Sequence, residues 1–508
     1  MNINRLYYLG SPRSILLFLS IIALFISIQC IFTNSKNEPS GEKGKYLSKG
    51  QKISPRYVRK ELTDNDISEP PGICQPSYYS NSIRLVKFDS SLAKTQLQWK
   101  IRLGHVVKGY GDKFIDSMGN IIVDSEGGTW YSYGDVGLDH CFLRRIKPDG
   151  SKGWDISPSD LVSHVEPVFA IKNGVICIVS LFTTEGNSWP ARGIQYLECF
   201  DFEGKSFWRS NAIENVNPGY VNNENGESFV IKRASTDQLI YIVNLLPIDG
   251  PNNGYSFPFL QTDNAYQGLF SLRNGEMLGN ANVYFWQDKG PLFTPDGRFI
   301  GLSDSGNPPM GYITCFNKDN SVYWMSKLSA SPADNQMLAP NGTLFSYAYD
   351  DKRFSGLYGI DVKSGITLWR PQEAVFKDLV GITSENHCII AGLSGENFGE
   401  PSITEFTELD SNGDIVKSTK FKHVFKIRNS FPPIIYNDGK ILMFTNKYEL
   451  MLFDMNGKIY WSLDKKEMGL PGDLGIDRMF LYPAPDNRIV VDVKGISDNY
   501  IISLGPKL

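Results

Sequence analysis

Trp130, Tyr133, His140, Trp189, Arg192 and Tyr255 fall in long stretches that lack strand patterning: SEGGTWYSYGDVGLDH at 125–140, LFTTEGNSWPARG at 181–193, and 245–265. Aromatic rings beside a guanidinium and an imidazole stack on and hydrogen-bond to planar or hydroxylated ligands, so these residues are read as a binding set for glycan, peptide or protein. Tyr131, Phe257, Phe259 and Trp286 extend the aromatic area. The competing reading is that the rings pack the insertions down as a cap. His105, His140 and His164 fall in the same kind of connection and could do acid–base or nucleophilic work; ordinary surface histidines are the alternative. No catalytic residue is assigned.

What must hold these insertions is a repeat. About every fifty residues a β-rich run is followed by Asp or Asn, a turn, and an aromatic run ending in Trp: LRRIKPDGSKGW (Leu143 to Trp154), LECFDFEGKSFW (Leu197 to Trp208), ITCFNKDNSVYW (Ile313 to Trp324), LYGIDVKSGITLW (Leu357 to Trp369) and LMLFDMNGKIYW (Leu450 to Trp461), with a looser copy closing on Trp99. Each copy is a hairpin, because Asp supplies a side-chain acceptor and Gly tolerates positive φ. A second hairpin precedes each, with turns such as Pro295-Asp296-Gly297. Two hairpins make a four-stranded antiparallel sheet, and a period of this length means units that bury their apolar faces on one another. Eight inner hairpins can be placed, and the chain ends on YIISLG, one strand short. The strand carrying Trp99 is expected to complete that last sheet. The expected fold is therefore all-β: an eight-bladed β-propeller of four-stranded antiparallel blades over 80–508, preceded by an N-terminal membrane helix.

The motif of apolar run, Asp, turn with Gly, apolar run and Trp resembles the tryptophan-docking repeat of the quinoprotein-like (PQQ-like) propellers, best at Leu357 to Trp369 and over roughly residues 80 to 505. The resemblance implies that Trp99, Trp154, Trp208, Trp324, Trp369 and Trp461 are structural, each packed between neighbouring blades. Catalytic members of that superfamily use adjacent cysteines over the quinone and carboxylate and amide ligands for calcium. No two cysteines are adjacent here and no such ligand trio aligns, so no cofactor is expected. FDFEGKSFW also looks like hairpins of the bacterial arylsulfotransferases, another propeller family.

The chain has 508 residues, 51 Lys and Arg against 55 Asp and Glu, and a net charge of -4. Charges of both signs are interspersed, so no basic stripe serves nucleic acid; five His and seven Cys without CxxC or HExxH spacing give no metal site. Cys177 and Cys199, on consecutive strands, could face one another as a disulfide or simply fill blade cores as thiols.

Residues 1–14 form a short tail. Ile15 to Phe32 is an apolar run after Arg5 and Arg13 and reads as a membrane anchor, with a cleaved signal or a lipidated Cys30 as alternatives. Lys-, Asn-, Ser- and Gly-rich residues 33–79 read as a flexible stalk. The expectation for function is a single-pass, membrane-tethered propeller outside the cytoplasm. It would contact the membrane through the N-terminal helix and bind a protein or polysaccharide partner on one loop-rich face, without catalysis. The alternative is an exported enzyme, arylsulfotransferase-like or quinoprotein-like, using the same face.

Overall fold

Asp, Gly and Trp recur because each solves part of one packing problem. In the turns after Asp201, Asp410 and Asp454, one carboxylate oxygen accepts the backbone N–H groups two and four residues on: Glu203 and Lys205 at 3.0 and 2.7 Å, Asn412 and Asp414 at 2.8 and 2.9 Å, Asn456 and Lys458 at 2.8 and 3.1 Å. The Gly that closes each turn has φ near +80°, a region that L side chains avoid. The Trp that follows does not serve its own turn. Its ring seats on the turn glycine of the next unit: Trp324 over Gly365 and Trp369 over Gly413, where an added Cβ would come within 2.6 and 2.4 Å of the ring.

The indole N–H completes the dock by donating to a carbonyl beside that turn. Trp99 reaches Pro148 O at 2.7 Å, Trp154 Phe202 O at 3.1 Å, Trp208 Leu272 O at 3.0 Å, Trp324 Val362 O at 2.9 Å and Trp369 Ser411 O at 2.9 Å. Trp461 makes a longer contact, 3.4 Å, to Ser91 O. Register identifies what stands in the same place where Trp is missing. Gly279 pairs with Leu269 as Trp208 pairs with Cys199, and Lys417 pairs with Glu408. Lys417 keeps the donor role, its Nζ bonding Asn456 in the following turn.

The computed structural model describes residues 56–68, 85–86, 89–104, 114–115, 120–125, 142–156, 164–182, 193–216, 229–233, 237–244, 265–280, 292–294, 296–303, 311–317, 321–330, 336–350, 355–370, 378–394, 403–426, 433–484, 486–495 and 498–506. These lie in one compact unit, Gly44–Leu508. Their strands form a β-propeller, an all-β succession of antiparallel meanders hydrogen-bonded into seven sheets.

Sheet 1 holds Phe114–Ile115, Ile121–Ser125, Phe142–Ile146 and Lys152–Ile156, and sheet 2 holds His164–Ile171, Gly174–Phe182, Gly193–Asp201 and Ser206–Arg209. Sheet 3 holds Phe229–Arg233, Gln238–Asn244, Ala265–Ser271 and Met277–Asn280. Sheet 4 runs from Leu292–Phe293 to Thr367–Trp369 with eight strands; its two meanders are joined by the single pairing of Ser329 with Tyr349. Sheet 5 holds Asp378–Ile382, Cys388–Ser394, Ile403–Leu409 and Ile415–Phe421, and sheet 6 holds Ile434–Tyr436, Lys440–Phe444, Leu450–Asp454 and Ile459–Leu463. Sheet 7 takes Ile476–Pro483, Ile489–Gly495 and Asn499–Pro506 from the C-terminus and Thr95–Gly104 from the N-terminal side, with Lys100 opposite Ile502. The Trp99 strand thus completes the last sheet, as its sequence suggested.

The cores lie between sheets. Phe406, Phe421 and Ile389 of sheet 5 meet Ile435, Met451 and Phe453 of sheet 6, and Phe480, Val490 and Ile501 of sheet 7 meet Ile115, Ile121 and Ile146 of sheet 1. Alternate residues of each strand serve opposite neighbours.

That alternation decides between the two readings of Cys177 and Cys199. Cys177 pairs with Glu198 and Cys199 with Ile176, a register offset by one, so Cys177 joins the core against sheet 1 and Cys199 the core against sheet 3. The two thiols are on opposite faces, and neither is in a disulfide.

Two parts of the N-terminal region also pair with the sheets. Leu85–Val86 runs parallel to the first strand of sheet 6. Within the stretch read as a flexible stalk, residues 56–68 are folded. Ile213–Val216 pairs beside Gly193–Asp201 as a fifth strand of sheet 2, Tyr57–Val58 adds a sixth on its outer edge, and a short helix, Asp64–Ile67, follows. Thr63 and Asp66 form a reciprocal capping box there, and Leu62 and Ile67 are fully buried against Trp208, Phe270 and Leu272. Those apolar contacts fix a segment whose composition suggested only solvation. No helix among the described residues is long and apolar enough to cross a membrane; residues 15–32, read as the anchor, lie outside them.

Candidate functional site

Strand register places the insertions. Ser125 pairs with Phe142, Phe182 with Gly193, Asn244 with Ala265, Ser303 with Tyr312 and Ser394 with Ile403, so each long connection springs from a closed two-strand base. In an antiparallel meander the second-to-third connections all leave from one end. The Asp–Gly turns leave from the other end. Trp130, Tyr133, His140, Trp189, Arg192 and Tyr255 themselves lie outside the described residues, as does His105; His164 opens the first strand of sheet 2.

At the same insertion-bearing end, sheet 7 presents a polar cluster that sequence reasoning missed. Arg478 lies opposite Lys494, and Lys494 opposite Asn499, while Asp492 sits between Phe480 and Ile501. Arg478, Asp492 and Asn499 are buried. Asp492 is 1% exposed, and neither of its carboxylate oxygens accepts a hydrogen bond, nor does the Asn499 amide oxygen. Lys494 Nζ lies 3.5 Å from Asp492 Oδ2. Arg102 and Asp498 close the rim of the cluster through a pair whose Nε–Oδ1 distance is 2.8 Å. A buried carboxylate costs free energy until donors reach it, so Asp492 and Asn499 form an acceptor set suited to hydroxyl or ammonium groups. The signal was the alternation in IVVDVKG, where Asp492 and Lys494 occupy one face of an otherwise apolar strand.

Other ionisable groups are committed to structure. On sheet 2, burial pushes the Glu198 carboxyl up, opposed by Arg209, which grips both its oxygens at 3.0 to 3.2 Å and lies 4.7 Å over the Tyr196 ring. Burial raises the Cys315 thiol to about 11 and the Cys199 and Cys388 thiols further, so none of the three is a thiolate near neutrality. Among the described residues no group of three or more His, Cys, Asp or Glu could hold a metal ion. A cavity of about 10 Å³ beside Ser91, Thr95, Trp461 and Arg488 is of water size.

No family model matches the chain. No curated protein matches it either. Among solved structures, BamB from Moraxella catarrhalis is similar at 12% identity and TM-score 0.38, over 81% of this chain and 98% of that one. The WD40 domain of Toxoplasma gondii coronin is similar at 11% identity and TM-score 0.34, over 66% and 79%. The β-propeller domain of the Trilobed protease from Pyrococcus furiosus is similar at 12% identity and TM-score 0.35, over 55% and 83%. Likenesses of this degree leave the fold to be read from the sheets themselves.

Proposed function

We propose that the chain is a membrane-tethered, extracytoplasmic propeller of the PQQ-like kind. In this reading it binds a protein or polysaccharide through the face that carries the insertions, as a non-catalytic binding or scaffold module. Reading each four-stranded meander as one blade, the eight-stranded sheet counts as two, which makes eight blades, and the Thr95–Gly104 strand closes the ring.

The observation that supports the reading is the division between the two ends of the sheets. One end is fixed by Asp–Gly turns and seated tryptophans. The other carries every long connection among the strand pairs named above, rooted on rigid strand bases, with the Asp492 acceptor cluster beside them. A rigid platform with one variable face is how loops carry recognition. Trp130, Tyr133, Trp189 and Tyr255, with His140 and Arg192, would supply stacking area and polar contacts.

The test is binding of the purified full chain to arrays of envelope polysaccharides and peptides. Trp130→Ala and Trp189→Ala should each weaken the interaction. Retention of binding in both variants removes the reading. Calcium-dependent dye reduction with added PQQ, abolished by chelator, or sulfuryl transfer between phenols lost in His140→Ala, would replace it with an enzyme.

A further inference from the structure

The residue just before the docking Trp position is Phe207 in sheet 2, Tyr323 and Leu368 in sheet 4, and Val416 in sheet 5, all equivalent by register. Phe207 is 6% exposed, whereas Tyr323, Leu368 and Val416 are 50, 51 and 51% exposed. The chain's own N-terminal segment makes the difference. Arg59 and Lys60 both lie 5.4 Å from the Phe207 ring, and their N–H groups donate to Phe207 O at 2.9 and 3.3 Å. Tyr57 and Val58 pair antiparallel with Arg209 and Trp208, and the Arg59 guanidinium bonds Asp201 Oδ2 at 3.1 Å.

Asp201 can accept that guanidinium because its own turn uses only Oδ1. The equivalent residues differ in this respect. In sheet 4 the position is Asn317 in one meander, an amide, and Asp361 in the other, whose two oxygens are taken by Lys363 N and by Ser364 N and Oγ. In sheet 6, Asp454 Oδ2 accepts the Tyr460 hydroxyl. In sheet 5, Asp410 repeats the Asp201 pattern: Oδ1 takes the two turn N–H groups and Oδ2 meets only Asn412 Nδ2 at 3.5 Å. The edge strand beside it, Ile415–Phe421, is seven residues long, ends sheet 5, and begins with Ile415 and Val416 exposed. Lysine on an edge commonly blocks strand addition; here Lys417 is turned onto Asn456.

We infer that the outer edge of sheet 5 is a second strand-accepting site. It takes an extended basic–apolar segment of a partner protein, antiparallel to Ile415–Phe421, with an arginine on Asp410 Oδ2 and its neighbours over Val416. The intramolecular strand on sheet 2 is the pattern for the occupant, and main-chain pairing with side-chain selection is an established mode of peptide capture. This site is independent of the loop-rich face.

The experiment titrates a fluorescein-labelled peptide of residues 55–61, Pro-Arg-Tyr-Val-Arg-Lys-Glu, into the full chain. Saturable binding is expected, weakened roughly tenfold or more by Asp410→Asn, the size of one charge-assisted hydrogen bond, and weakened also by Val416→Lys. Val416→Lys should leave the melting temperature unchanged, since the side chain is exposed, and Asp201→Asn should not weaken the peptide. Four results overturn the proposal. They are no saturable binding, weakening by Asp201→Asn alone, equal binding of a peptide with Tyr and Val replaced by Ser, or a dimer of the chain that Val416→Lys dissociates.

Discussion

At the residue scale, Trp208 and Trp369 occupy one repeat position with different burial: Trp208 is fully enclosed and Trp369 partly open. Truncation of a buried aromatic costs about 3–5 kcal/mol, so Trp208→Ala should lie in that range and Trp369→Ala below it, measured by urea denaturation. Gly413→Ala should destabilise as well, because the new methyl meets the Trp369 ring at a positive φ. Trp130→Ala should change stability far less and binding more.

The turn carboxylates give a pH dependence whose direction follows from their surroundings. Arg298 beside Asp296 draws its carboxyl down to about 2, against a smaller opposing effect of burial. For Asp410 and Asp454, burial alone would raise the carboxyl. Turn N–H groups, joined at Asp454 by the Tyr460 hydroxyl, more than offset it, so both lie below the usual range. A lowered folded value means stability that is present above the unfolded aspartate range and lost as pH falls through the folded values. The melting temperature should hold above about pH 5 and decline from about pH 4 toward pH 2. Asp454→Asn should reduce that decline.

Among elements, the segment 56–68 makes the sharpest expectation. Leu62→Ala and Ile67→Ala should each cost about 2–5 kcal/mol, and Asp66→Ala, which removes both the capping box and the bond from Asn173, about 1–2 kcal/mol. Hydrogen exchange should show the loss first in sheets 2 and 3. A flexible stalk would give no effect. The sequence hid this element because its strand is two residues long and its helix four, below the length at which periodicity speaks. The turns were legible for the opposite reason: an Asp acceptor, a positive-φ Gly and a Trp at fixed spacing have few other uses together. The face on which Cys177 and Cys199 point was not legible, because a register offset of one residue reverses it. The polar cluster was half legible, since IVVDVKG shows the charges but not that burial leaves Asp492 without a donor.

For the whole molecule, the pairing of Thr95–Gly104 with Asn499–Pro506 makes the two chain regions mutually dependent. Removing residues 499–508 deprives the Thr95–Gly104 strand of its partner and the Ile489–Gly495 strand of one of its two. Such a truncation should lose its cooperative thermal transition and its sharp elution in gel filtration. A folded, cooperative product would show that sheet 7 is dispensable to the rest.

Because Thr95 lies opposite Pro506, the ends of those two strands are close enough for a short turn to join them. A gene rearranged so that a short linker joins residue 506 to residue 94, with new ends between Arg370 and Asp378, would keep every described strand pairing from Thr95 to Pro506, since none of those pairings uses residues 371–377. The segment 56–68 would have to be supplied separately, as a peptide in trans. If such a rearranged chain folds and captures that peptide, the clasp on sheet 2 is a ligand that evolution has covalently attached, and the order of the repeats along the gene is a historical accident rather than a requirement of the fold.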